Sequence, residues 1–176
     1  MKANIIYMLI ATILFLHGCA QTQVTKMKAV TRTSDQKTAY DGTVTSQKKH
    51  FVSISPYKSL DGAIVNFDLS RFKTIFMLAI ENGGNAPIHI GYDNISVAFQ
   101  DNSEDSMEHK VDIQLLQEML PGFIIKQQAI MPGETYSSML ICDTSNINTK
   151  TEGRFKIVVS IDNEEHKFIF NRGLNK

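Results

Sequence analysis

An alternation of apolar residues with mostly polar ones near the C-terminus is the feature that most constrains the fold. Apolar side chains occupy every second position over residues 155–161, and the alternation resumes over residues 166–170. Because successive side chains of a β-strand point to opposite faces, this period of two predicts two strands. Residues 162–164 separate them, which is short enough for a tight antiparallel hairpin.

Similar short runs, separated by turn residues, continue back to residue 50. They cover residues 50–55, 62–69, 71–80, 88–90, 95–99, 123–131 and 135–142. The run 71–80 is apolar on both faces, which predicts a central strand, although a helix is compatible with its spacing. Asn82-Gly-Gly-Asn-Ala-Pro, directly after it, is the strongest turn signal in the chain.

The spacing becomes helical within residues 113–120. The apolar positions there are Leu115, Leu116, Met119 and Leu120, and Pro121-Gly122 follows them. This pattern predicts one short helix that ends at the proline. Its apolar stripe would either plug an open end of the domain or form a docking ridge, and we favour the plug.

Seven to nine short strands with one short helix predict a mainly β domain over residues 50–171, with a tail at 172–176. An antiparallel sandwich is the expected architecture, and a barrel is the alternative. The order of the strands and the inserted helix resemble the immunoglobulin-like modules of bacterial envelope lipoproteins. The Cys-Trp-Cys core of antibody domains is missing, since the chain has no Trp.

The N-terminus carries a compact targeting pattern. Lys2 precedes an apolar run over residues 5–16, which is shorter than the roughly 20 residues that a membrane-spanning helix needs. The run ends in Leu16-His-Gly-Cys19, which resembles the lipobox of bacterial lipoproteins; an ordinary secretory signal is the alternative. The resemblance implies that residues 1–18 are a signal peptide and that Cys19 carries lipid. Ala20 after the cysteine implies sorting to the outer membrane, with the domain in the periplasm.

Residues 19–49 are rich in Thr, Gln, Ser and Lys, and apolar residues are sparse. A segment of this composition buries too little apolar surface to offset its chain entropy, so we expect a mostly disordered tether. Its excess of basic residues suits a solvated spacer, with weak binding to anionic head groups or to cell-wall carboxylates as the alternative. Val44, flanked by Thr43 and Thr45, suggests an edge strand near the end of this segment.

The composition offers little for catalysis or for nucleic-acid binding. The 18 basic and 18 acidic residues balance, so no strong positive field is available to attract nucleic acid. No hydrolase, nucleotide-binding or metalloprotease motif is present, and the histidines at 50, 89, 109 and 166 lack metal-ligand spacing. We therefore predict no cofactor and no metal, including calcium at the acidic loop 101–112.

Cys142 is the second cysteine of the chain. It falls on the same predicted strand face as Leu140 and Tyr136, which favours a buried, inert thiol over a nucleophile. His89 lies between two apolar residues of a short strand, and we expect it to face solvent.

These observations predict a non-enzymatic, lipid-anchored envelope protein whose domain binds a protein partner or supports an assembly. The alternatives are a small-ligand- or ion-binding lipoprotein, with a pocket near residues 82–87 and 143–153, and a hydrolase whose catalytic residues meet only in the fold. The hydrolase would require a histidine or carboxylate pair to converge in a cleft with a serine or with Cys142.

Overall fold

The computed structural model describes residues 26–31, 33–39, 42–57, 73–102, 107–117, 127–147 and 151–173. Within them the strands are β1 (Lys26–Val30), β2 (Gln36–Thr38), β3 (Val44–Gln47), β4 (Phe51–Pro56), β5 (Lys73–Glu81), β6 (Ile88–Gly91), β7 (Ile95–Asp101), β8 (His109–Val111), β9 (Ile113–Gln117), β10 (Gln127–Ile130), β11 (Thr135–Asp143), β12 (Gly153–Ile161) and β13 (Glu164–Gly173). A 3-10 turn, Tyr92–Asn94, joins β6 to β7. The protein is mainly β, as predicted.

The strands form antiparallel sheets. A five-stranded sheet has the order β1-β13-β12-β7-β8, and a six-stranded sheet has the order β2-β3-β4-β5-β11-β9. A two-stranded ribbon pairs β10 with β6. The hairpin predicted at the C-terminus is β12–β13, and the run that is apolar on both faces is β5, which lies between β4 and β11. Both predictions are confirmed.

The two large sheets pack face to face in a sandwich-like arrangement. The ring of Phe76 on β5 lies 5.0 Å from the ring of Phe170 on β13 and 5.8 Å from the ring of Phe155 on β12. Both sheets supply further fully buried side chains, namely Val52, Ile54, Leu78, Ile80, Leu140, Ile157, Val159 and Phe168. Burying each large apolar side chain contributes about 1.5–3 kcal/mol, so this shared core is the main source of stability.

The helix predicted over residues 113–120 is wrong where the structure describes it. Ile113–Gln117 is the strand β9, which pairs antiparallel with β11. Leu115 is buried while Gln114 is exposed, so the period of two that begins at Val111 continues into this segment. Tertiary pairing with β11 outweighs the helical spacing of the leucines. Residues 118–120 lie outside the described part of the chain.

The sandwich begins earlier than composition suggested. Strands β1, β2 and β3 fall within residues 26–47, which we expected to be mostly disordered apart from an edge strand at Val44. That strand is β3, but it lies between β2 and β4 and not at the edge of the sheet. Met27 and Ala29 pack against the core while Lys28 is exposed, so β1 has a short alternation that an average over the polar segment conceals. At the other terminus β13 continues to Gly173, into the expected tail. The signal peptide, Cys19 and the strand predicted over 62–69 lie outside the described residues.

Contacts between the sheets define two ends of the domain. The β3–β4 turn meets the β12–β13 turn at one end, through contacts between His50 and Asp162, and we call this the His50 end. At the opposite end, Lys26 pairs with Gly173, and we call this the Lys26 end. No helix in the described residues is both long enough and apolar enough to cross a membrane.

Candidate functional site

The most elaborate polar cluster in the described residues lies at the His50 end. The side chain of Glu164, at the start of β13, faces the β3–β4 turn and accepts two backbone hydrogen bonds. The Lys49 N–H donates to Oε1 at 3.1 Å, and the His50 N–H donates to Oε2 at 3.3 Å. Hydrogen bonds to a charged acceptor are stronger than neutral ones, so this carboxylate fastens one sheet to the other.

Asp162, in the β12–β13 turn, makes the second connection. Its Oδ2 lies 3.2 Å from Lys49 Nζ and 3.2 Å from His50 Nε2. The lysine and then the histidine, by hydrogen bonding, hold the pKa of Asp162 below its usual range. The residue has φ 52°, a left-handed conformation that Asp tolerates better than most residues. The turn therefore aims the carboxylate at the β3–β4 turn.

Two histidines that are 116 positions apart in the sequence are both fully buried beside these carboxylates. His166 Nδ1 lies 2.9 Å from Ser46 Oγ, and His166 Nε2 lies 3.5 Å from Glu164 Oε2. Burial lowers the pKa of His166, because desolvation of the imidazolium outweighs the nearby Glu164 carboxylate. The histidine is therefore held as a neutral hydrogen-bonding group in the core.

Glycines of the turn after β5 allow the cluster to close. A Cβ atom on Gly84 would lie 2.8 Å from Lys49 Cε and 3.2 Å from His50 Cε1, and one on Gly83 would lie 2.1 Å from the Lys49 carbonyl oxygen. The buried side chain of Asn82 fixes this turn, donating to the carbonyls of Ala86 and Ile130 and accepting from the Gly84 N–H. The strong turn signal in the sequence therefore shapes this end of the domain.

Ser46, His166 and Glu164 are the residue types of a hydrolytic triad. Ser46 is only 1% exposed, however, and His166 is fully buried. A nucleophile has to reach its substrate, and this hydroxyl is directed at the imidazole inside the core. In this geometry the hydrogen bond between Ser46 and His166 joins β3 to β13.

Two hollows flank the β2–β3 ribbon next to this cluster. One, of about 350 Å³, is lined by Ser34, Asp35, Lys37, Thr45, Gln47 and Phe51. The other, of about 260 Å³, is lined by Thr33, Asp35, Gln36, Ser46, Lys48, Glu165 and Lys167. Asp35 borders both, and a hydrogen bond from Thr33 lowers the pKa of its carboxyl group. Neither hollow includes residues 82–87 or 143–153, where the sequence suggested a pocket.

The second hollow lies along the edge of β13 where β1 no longer covers it. The pairing of β1 with β13 stops at Val30 and Ile169. Beyond that point Gln36 Nε2 donates to the carbonyl of Lys167, and Lys48 Nζ donates to the carbonyl of Glu165 at 2.8 Å. Side chains thus occupy the hydrogen-bonding positions that a neighbouring strand would take, a common way to protect a sheet edge.

The residues singled out in the sequence have different outcomes. Cys142 is fully buried on β11, and burial raises the pKa of its thiol, so the prediction of a buried cysteine is confirmed. His89 is exposed between buried neighbours, as predicted. Glu108, from the acidic loop, forms an exposed ion pair with Lys156 at 3.1 Å. Cys19 lies outside the described residues.

Sequence reasoning missed the His50 end entirely. Its residues come from three separate segments, 46–50, 82–84 and 162–166, and no spacing links them. The one available signal was a pair of histidines at predicted strand ends, each next to lysines or acidic residues. Among the described residues, no group of three His, Cys, Asp or Glu side chains is placed to hold a metal ion. The chain matches no protein-family model and no curated protein.

Proposed function

We propose that this chain is a lipid-anchored protein of the bacterial cell envelope, attached through Cys19, whose domain serves as a non-catalytic interaction or assembly module. The observation that carries the proposal is the N-terminal pattern, an early lysine and a short apolar run that end in Leu16-His-Gly-Cys19. A domain that begins at β1, only a few residues later, is in keeping with an anchored module. Ala20 favours the outer membrane, with the domain in the periplasm.

We further propose that the sandwich is immunoglobulin-like. The neighbours β4, β5, β11 and β9 match strands A, B, E and D of that fold, and β13, β12, β7 and β8 match G, F, C and C′. The contact between Phe76 and Phe155 joins the strands that would be B and F, where antibody domains carry their disulfide. The ring of Phe99 on β7 lies 4.9 Å from the ring of Phe155 in a tilted arrangement, at the position where those domains place Trp. Aromatic packing would replace the disulfide core.

The surface that best suits a protein partner is the His50 end with the two hollows along β2 and β3. Glu164 and Asp162 hold its turns in place, so a partner would meet a preorganised surface and lose little entropy in ordering it. The surface is rich in charged and hydroxyl side chains, which suits a reversible polar contact. Balanced charge over the whole chain argues against nucleic acid.

The anchor is tested by replacing each cysteine in turn. Cys19→Ser should abolish incorporation of radiolabelled palmitate and remove the protein from the membrane fraction. Cys142→Ser is the matched control, because this buried cysteine is predicted to carry no lipid, and its label should equal that of wild type. Normal labelling and membrane fractionation of Cys19→Ser would contradict the lipoprotein proposal.

The partner is tested by cross-linking in intact envelopes. Lys37→Glu reverses a charge in the larger hollow, and Lys28→Glu reverses an exposed charge on β1, near the opposite end. A cross-linked species that wild type and Lys28→Glu form, and that Lys37→Glu loses, would support the proposed surface. Cross-linking that is unchanged by Lys37→Glu, or absent from wild type, would count against it.

A second candidate is binding of a small polar ligand. It is favoured by the larger hollow, whose volume of about 350 Å³ falls in the range of small-molecule sites. Its polar lining, with Asp35, Lys37 and two hydroxyl groups, would suit a zwitterion rather than an apolar molecule. Chemical-shift changes at Ser34 and Thr45 on titration with amino acids would support this candidate, and their absence would remove it.

A further inference from the structure

The position of β1 limits how far the domain can stand from a lipid on Cys19. Strand β1 begins at Lys26, seven positions after Cys19. Because a fully extended chain spans about 3.3–3.6 Å per residue, seven steps reach at most about 25 Å. The first residue of the sheet is therefore always within that distance of the lipid attachment point.

The register of the five-stranded sheet identifies which end of the domain is held there. Lys26 pairs with Gly173, and Gly153 lies between Arg172 and Asp101, so these residues form the Lys26 end. The hairpin partner β13 is ten residues long and runs from this end to the His50 end. At about 3.3 Å per residue, the His50 end lies roughly 30 Å from the Lys26 end along this strand.

An exposed apolar side chain occupies the Lys26 end. Met107 is 76% exposed, and it precedes His109, the residue that pairs with Phe99 near the end of β7. Met131, which is 48% exposed, is at the opposite end, because Met131 and Glu134 belong to the turn that pairs with Asn82. Met107 and Met131 therefore provide the same exposed side chain at opposite ends of the domain.

We infer that the Lys26 end faces the membrane and that Met107 contacts the lipid surface, while the His50 end and its hollows point away from it. The inference rests on the proposed lipid at Cys19 and adds which end of the domain faces the membrane. A flexible apolar side chain gains by entering the boundary between head groups and acyl chains. Basic Lys28 and Arg154 share this part of the domain with acidic Asp143 and Glu152, so contact needs no anionic lipid.

The experiment compares the two ends in the mature lipidated protein. Met107→Cys and Met131→Cys are each labelled with the same fluorophore; Cys142 is fully buried, and wild type treated with the same fluorophore measures its background. Each protein is reconstituted onto phosphatidylcholine vesicles that contain a lipid with a nitroxide on its head group. We expect quenching at position 107 to be at least threefold stronger than at position 131.

Insertion of twenty Gly and Ser residues between Ala20 and Lys26 provides the matched control. The longer link removes the distance limit, so quenching at position 107 should fall towards that at position 131. Equal quenching at the two positions in protein that floats with the vesicles would overturn the orientation while leaving the anchor intact. Protein that does not float with the vesicles would overturn the anchor itself, and the inference with it.

Discussion

At the scale of single residues, Glu164 is the side chain on which the His50 end depends most. Its two carboxylate oxygens accept the N–H groups of Lys49 and His50. Glu164→Ala leaves these donors without their charged acceptor, and we expect a loss of about 1–3 kcal/mol in the free energy of unfolding. Urea denaturation followed by far-UV circular dichroism measures this loss.

The neighbouring Glu165 is the matched control for that prediction. It is an exposed residue that pairs with Lys167 at 2.7 Å, and exposed ion pairs contribute little because water and salt screen them. Glu165→Ala should therefore unfold at nearly the urea concentration of wild type. If Glu164→Ala and Glu165→Ala unfold at the same midpoint concentration of urea, the Glu164 contacts do not hold the sheets together.

His166 makes stability depend on pH. Burial lowers its pKa in the folded protein, while the unfolded chain has an ordinary histidine pKa near 6.5. The unfolded state therefore binds more protons below about pH 6.5, and stability falls as pH decreases through that window. One proton gives a slope of at most about 1.4 kcal/mol per pH unit.

The contribution of His166 is isolated by His166→Asn, which retains a polar group near Ser46 but does not titrate. Urea unfolding between pH 7.5 and 5 should give a shallower pH dependence for this variant than for wild type. Carboxylates with lowered pKa values, such as Asp162, act at more acidic pH and should affect both proteins alike. If the free energy of unfolding changes equally with pH in wild type and in His166→Asn, His166 is not the source of the pH dependence.

At the scale of elements, truncation tests whether residues 26–30 act as the strand β1 or only as part of a tether. A variant that lacks residues 1–25 keeps β1 and should match the stability of the mature domain. A variant that lacks residues 1–32 loses the backbone pairing with β13 and the packing of Met27 and Ala29. We expect it to be less stable by about 2–4 kcal/mol. With the edge of β13 open, it should also self-associate on size-exclusion chromatography.

Substitutions within β1 test the same strand without truncation. Met27 packs on the core and Lys28, next to it, is exposed. Met27→Asp should therefore destabilise the protein clearly, and Lys28→Asp should have little effect. If both substitutions are tolerated, residues 26–30 contribute no more than a linker would.

The elements that could be predicted are those whose pattern repeats along several residues. The β12–β13 hairpin has a clear alternation and a short turn, and β5 has the nearly continuous apolar run of a central strand. Strand β9 differs from the predicted helix because Leu115 belongs to two patterns, a period of two with Val111 and Ile113 and a helical spacing with Leu116, Met119 and Leu120. Strand β1 is as short as β9 and pairs with the distant β13, whereas β2 has only three residues and pairs with the neighbouring β3.

In the candidate site, too, only features that depend on a local sequence pattern could be predicted. Cys142 could be predicted as buried because its strand pattern decides its face. The meeting of His50 with Asp162, and of His166 with Ser46, depends on which sheet edges the topology brings together. Interactions across 112 and 120 positions leave no trace in local spacing, so sequence alone gave these histidines no role.

At the scale of the whole molecule, one core joins both sheets, and this predicts cooperative unfolding. Phe76 of the six-stranded sheet contacts Phe155 and Phe170 of the five-stranded sheet. Phe76→Ala opens a cavity where the sheets meet, and we expect a loss of about 3–5 kcal/mol in the free energy of unfolding.

Because the cavity belongs to both sheets, amide exchange should accelerate in β5 and β12 together rather than in one sheet first. Val158→Ala, at a half-buried position facing away from Phe155 and Ile157, is the control and should cost far less. Separate transitions for the two sheets in Phe76→Ala would mean that each is stable alone. The polar contacts of Glu164 and Asp162, rather than the shared core, would then be what unites the domain.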